Sequence, residues 1–86
     1  MKLTKRKDYT GSIRTVWNDD KTARFGMVGT VRDFLDVGIL DYCFANDGDW
    51  VYIQCMGSGQ PQNLYFFPTR EEALAAARKV IGGNTK

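Results

Sequence analysis

The chain has 86 residues, 43% of them hydrophobic and 26% charged, with a formal net charge of +2. That length supports one domain with one modest core, since area scaling buries about 64% of the unfolded surface. No apolar run approaches the ~20 residues that span a bilayer, no apolar segment follows the basic start as in a secretory signal, and two cysteines, Cys43 and Cys55, are too few for a disulfide scaffold. The expected setting is cytoplasmic, with both thiols free and no membrane partner.

Residues 1–8 are polar and mostly basic and read as a tail or short leading strand. The single α+β domain is expected over 9–83, with 84–86 a C-terminal tail. Residues 9–17 and 22–28 are rich in β-formers and flank the turn signal Asn18-Asp19-Asp20-Lys21. Pairing Trp17 with Thr22 puts Val16, Ala23, Phe25 and Met27 on one face, the expected core face, with Arg14 at its rim. Gly29 breaks the strand. Thr30 then caps a short helix near 30–37, with Asp33 as the capping-box acid, Val31, Phe34 and Leu35 on one face and Gly38 at its end. A continuing irregular strand is the alternative.

Residues 39–56 read as a hairpin about Asp47-Gly48, a favoured two-residue turn. In that register Ala45 faces Trp50, Phe44 faces Val51, Cys43 faces Tyr52 and Tyr42 faces Ile53. Leu40, Tyr42, Phe44, Val51, Ile53 and Cys55 form a core face. Asp41, Cys43, Ala45, Trp50, Tyr52 and Gln54 form a mixed face open to solvent or a partner, and the cysteines fall on opposite faces. A polar loop at 57–63 leads to a short strand, Leu64 to Phe67, which Pro68 ends. Thr69-Arg70-Glu71-Glu72 is a capping box opening a helix through Leu74, Ala77 and Ile81. Arg78 and Lys79 are expected in its last turn, with Gly82-Gly83 its stop. The fold class is α+β: an antiparallel sheet of four or five strands, built of two hairpins and a short strand, packed by one C-terminal helix.

The chemistry of the chain is largely a set of exclusions. It has no histidine, which removes Ser-His and Cys-His catalysis and the commonest metal ligand. Two cysteines without a CxxC do not make a zinc site, and Asp47 and Asp49 lack the further oxygen ligands of a calcium loop. Gly57-Ser58-Gly59 lacks the lysine of a phosphate loop. No catalytic residues, metal or cofactor are expected.

The charge is segregated. Residues 1–32 hold eight basic and three acidic groups, residues 33–63 five aspartates and no Lys or Arg, and residues 64–86 four basic and two acidic groups. Two binding surfaces follow. Asp41, Asp47 and Asp49 beside Trp50 and Tyr52 have the chemistry of a protein-binding face. Lys5, Arg6 and Lys7, with Lys2, Arg14, Arg24 and Arg32, have that of a phosphate-contacting group. The first reading gives a small non-catalytic accessory or inhibitor protein of the kind phages and mobile elements carry, its acidic face suited to a basic groove that otherwise holds nucleic acid. The alternatives are a nucleic-acid-binding module and a small-ligand binder or enzyme. An open strand edge also allows a homodimer.

Overall fold

A computed structural model of the chain describes residues 1–5, 7, 9, 11–40, 46–55 and 61–84, and the side chains of all of these but 55, 61, 62, 83 and 84. Five strands, β1 (Lys2–Thr4), β2 (Arg14–Trp17), β3 (Arg24–Thr30), β4 (Trp50–Cys55) and β5 (Pro61–Phe67), form one antiparallel sheet in chain order. Helix α1 (Val31–Asp36) lies between β3 and β4, and α2 (Arg70–Asn84) closes the chain. This is the α+β class expected, with the short helix present.

The β2–β3 turn forms where the sequence places it. The Asn18 side-chain oxygen accepts from the amides of Thr22 (2.9 Å) and Ala23 (3.1 Å). The Thr22 hydroxyl, then its amide, hold the Asp20 carboxyl below its ordinary value. The register differs from the expected one. Trp17 pairs with Arg24, not Thr22, across a bulge between Val16 and Trp17. Gly26, at φ 134°, adds a second irregularity in the facing strand. Phe25 and Met27, expected on one face, therefore pack against opposite ones. Gly26 inside an apolar strand is the sequence mark of that break.

The hairpin expected across Asp47-Gly48 is replaced by another pairing. Both edges of β4 are occupied: Val51 lies between Gly29 and Phe66, Tyr52 between Val28 and Tyr65, and Ile53 between Met27 and Leu64. The partners assigned to Trp50–Ile53 from residues 42–45 are thereby excluded, and residues 41–45 themselves lie outside the described residues. The turn is real, with the Asp49 amide bonded to the Asn46 carbonyl at 2.9 Å. Its carbonyls go to α1: Val31 N donates to Asp49 O (2.9 Å) and Arg32 N to Asp47 O (3.3 Å). Two of the amides left open at a helix start are satisfied in this way.

Helix α1 is held at that end by a second device. Thr30 caps it as expected, accepting from the Asp33 amide at 3.2 Å. The Asp33 carboxylate, however, turns to Ser12, accepting from its amide (2.7 Å) and hydroxyl (2.6 Å). Ser12 Oγ in turn accepts from Thr30 N at 2.9 Å, the bond a capping-box acid would make. Gly11, at φ 75°, sits against this carboxylate, and a Cβ there would stand 2.5 Å from Asp33 Oδ2.

The sheet is covered on both faces. On one, Ile13, Val31, Phe34, Leu40, Val51 and Ile53 form a cluster under α1 and the segment after it. On the other, Val16, Val28 and Tyr52 meet Ala73, Leu74 and Ala77 of α2. β4 is an interior strand whose Val51, Tyr52 and Ile53 are buried on its two faces, which is why Trp50-Val51-Tyr52-Ile53 reads as an unbroken apolar run. α2 starts at the expected cap, Thr69 Oγ1 accepting from the Glu72 amide at 3.3 Å. It continues through the expected stop at Gly82-Gly83 to Asn84, so Arg78 and Lys79 are not in its last turn. A Cβ at Gly82 meets nothing within 4 Å. Gly82→Ala is therefore expected to stabilise the chain by about 0.5–1 kcal/mol by restricting the unfolded backbone, read as a raised urea midpoint with unchanged slope.

Candidate interaction surfaces

Tyr52 and Trp50 do not form an exposed anchor. Alternation along β4 turns both toward α2, and Tyr52 is 0% exposed. Its hydroxyl donates to the Phe25 carbonyl at 2.6 Å, so the polar tip is satisfied inside the core. Trp50 is half-buried against the same cluster. This is a correction to the expected aromatic binding face: the C-terminal helix covers it.

The aspartates separate from those aromatics. Asp41 lies outside the described residues. Asp47 and Asp49 sit at the turn beside the start of α1, Asp47 exposed and Asp49 half-buried with Oδ2 accepting from Asn46 N (3.2 Å). Arg32 reaches two carboxylates there, Asp36 at 3.2 Å and Asp47 at 3.7 Å. All three side chains are more than half exposed, so each pair is screened and contributes little to stability. Asp36 and Asp47 beside Arg32, with Asp49 in the same turn as Asp47, make this end of the sheet acidic.

Among the described residues the basic candidates do not converge on one stripe. Lys2 and Arg24 flank Trp17 in one cross-strand row, while Arg14 lies at the other end of β2. The Arg14 guanidinium donates to the carbonyls of Gly11 and Ile13, both at 2.9 Å. Lys5 and Lys7 are exposed beyond β1, and Arg6 lies outside the described residues. Among the described residues no three His, Cys, Asp or Glu side chains sit where they could hold a metal ion. Among the described residues no helix is long and apolar enough to cross a membrane.

The surface the residue types did not single out is β5. Among the described residues it pairs with β4 alone, leaving it the last strand of the sheet. Leu64 is 45% exposed, Tyr65 42% and Phe66 42%. Leu64 and Phe66 share the α1 face with their partners Ile53 and Val51. Tyr65 lies on the α2 face, its ring stacked on Tyr52 with centroids 6.2 Å apart. No residue from Pro61 to Phe67 is charged, whereas the opposite edge, β1, carries Lys2. Sheet edges are commonly guarded by charge or proline inside the strand, and β5 has only Pro61 at its start. Beside it a groove of about 380 Å³ runs between β5 and α2, lined by Phe67, Glu72, Ala75, Ala76 and Lys79. The sequence signal was the run Leu64-Tyr65-Phe66-Phe67, apolar at positions that alternate between faces. No family model, no curated protein and no solved structure matches this chain.

Proposed function

We propose that the chain is a non-catalytic protein-binding domain of the accessory or inhibitor type. The observation that carries this reading is the uncharged β5 edge, which among the described residues is paired on one side only, with Leu64, Tyr65 and Phe66 each more than two-fifths exposed. Contiguous apolar surface on an unpaired strand is costly to leave in water and is the common mark of a protein interface. The acidic end formed by Asp36, Asp47 and Asp49 adds a second surface of opposite chemistry to a basic groove. A protein that otherwise holds nucleic acid has such a groove, and a nucleic-acid-handling defence complex attacked by a phage or mobile element is the setting we favour.

Affinity capture from the native host, with nuclease present, tests it. Wild type is expected to retain a stoichiometric protein, and Asp36→Lys with Asp47→Lys and Asp49→Lys is expected to lose it while keeping the wild-type circular dichroism. Capture that survives both this charge reversal and Leu64→Lys would contradict the reading. Retention abolished by nuclease, and by changing Lys5, Arg6 and Lys7, would assign the chain to nucleic acid instead.

A further inference from the structure

We propose that β5 pairs with β5 of a second copy of this chain, antiparallel, about a twofold axis normal to the sheet at Tyr65, joining two sheets into one. This rests on the reading of β5 as a protein-binding edge and names its occupant.

Three observations select a second copy. First, the edge from Pro61 to Phe67 carries no charge, so two copies oppose no like charges, and a charged partner strand finds no counter-charge there. An added strand has to be apolar on both faces at its centre, because Leu64 and Phe66 are exposed on one face and Tyr65 on the other. β5 meets that requirement itself.

Second, the twofold restricts the register. Residues directly opposite in an antiparallel pair share a face. With the axis at Tyr65, Leu64 lies opposite Phe66 of the second copy, Tyr65 opposite its equivalent, and Asn63 opposite Phe67. All three exposed apolar side chains then cover one another. Shifting the axis to Leu64 sets Tyr65 against Asn63, which leaves an aromatic ring against an amide.

Third, α2 carries a self-complementary strip along the same edge. Glu72, Ala75, Ala76 and Lys79 line the groove beside β5. An axis at Tyr65 sets the two α2 helices side by side and antiparallel. Glu72 then lies on the side of α2 toward Lys79 of the second copy, across helices that stand about 14 Å apart at the strand spacing, a gap that long charged side chains can bridge. The strip reads the same in both directions with its charges exchanged. The two elements also agree on where the axis falls. Tyr65 is about 7 Å back from the end of β5 at a strand's rise. The midpoint of Ala75 and Ala76 is about 8 Å along α2 from Arg70 at a helix's rise. Only Pro68 and Thr69 separate the two elements, so α2 folds back over the sheet from the end of β5.

The three exposed side chains supply roughly 250 Å² per copy if each presents about two-fifths of an aromatic-sized surface. That is about 500 Å² for the pair before the groove and the backbone edge are added, against roughly 1,200 Å² at the lower end of stable interfaces. The dimer is accordingly reversible and dissociates on dilution.

Sedimentation velocity on the intact chain tests the association. The mass is expected to move from twice 9.7 kDa toward 9.7 kDa as the sample is diluted. Leu64→Lys is expected to hold it monomeric at every concentration. Glu72→Lys is expected to weaken the dimer at least tenfold, and Glu72→Lys with Lys79→Glu to restore it. The register is tested by cross-linking in a Cys43→Ser, Cys55→Ser background with wild-type circular dichroism. Tyr65→Cys is expected to form a disulfide-linked dimer on mild oxidation, its Cα atoms about 5 Å apart across the axis. Asn63→Cys, about 13 Å from its equivalent, is not. A single-chain mass at all concentrations, or Asn63→Cys linking as fast as Tyr65→Cys, would overturn the proposal. If a monomeric chain still loses a captured host protein on Leu64→Lys, the binding-edge reading stands and the second copy does not. If Leu64→Lys changes neither mass nor capture, both fail.

Discussion

Replacing Phe34 with alanine is expected to cost about 3–5 kcal/mol, the loss typical of emptying a fully buried aromatic site. Phe34 is 0% exposed and joins Ile13, Val31, Leu40, Val51 and Ile53 under α1. It also packs where Gly29 has no side chain: a Cβ at Gly29 would stand 3.2 Å from the Phe34 ring. α1 has six residues, far too few to persist by itself, so its order depends on this ring and on the cap. A chain of this length has roughly 4–13 kcal/mol of stability in all, so the variant is expected near its unfolding threshold at 25 °C. Urea denaturation followed by circular dichroism measures it. A loss under about 1 kcal/mol would mean that the α1 face is not a packed core.

Asp33→Ala is expected to cost about 2–4 kcal/mol, because it removes two charge-assisted hydrogen bonds and leaves the Ser12 amide without its acceptor. The effect carries a pH signature. The Ser12 hydroxyl, and then the Ser12 amide, hold the Asp33 carboxyl below the usual 3.8. A carboxyl whose folded value lies below its unfolded one contributes stability that is fully present above the unfolded value. That contribution is lost as the pH falls through the folded value. The stability difference between wild type and Asp33→Ala is therefore expected to hold steady above about pH 5 and to narrow below about pH 4. A difference that stays constant down to pH 2 would show that the carboxylate charge is not what secures Ser12.

The elements that local chemistry specifies were legible in the chain. The Thr69 cap, the Thr30 cap, the Asn18–Lys21 turn and the Asp47-Gly48 turn each form where short-range signals put them. What escaped a local reading was pairing across sequence distance. A favoured turn at Asp47-Gly48 reads as a hairpin, but tertiary packing inserts β4 between β3 and β5, and the turn instead supplies carbonyls to α1. That one difference moves Tyr52 from an expected surface anchor to the centre of the α2 face. The Ser12–Asp33 bond spans 21 residues, and nothing local to Ser12 announces it. The β5 edge was hidden for the opposite reason. Leu64, Tyr65 and Phe66 look like core by composition, and only the strand order shows that nothing among the described residues covers them.

Amide hydrogen exchange across residues 61–67 tests the protein-binding edge most directly. It is read in the dilute free chain, in the concentrated chain and in the captured complex. An unpaired edge exchanges quickly, and pairing with another strand slows it. Exchange in β5 is expected to slow on concentration or complex formation while exchange in β1, the opposite edge, stays unchanged. Rates in β5 that are the same under all three conditions would contradict the account.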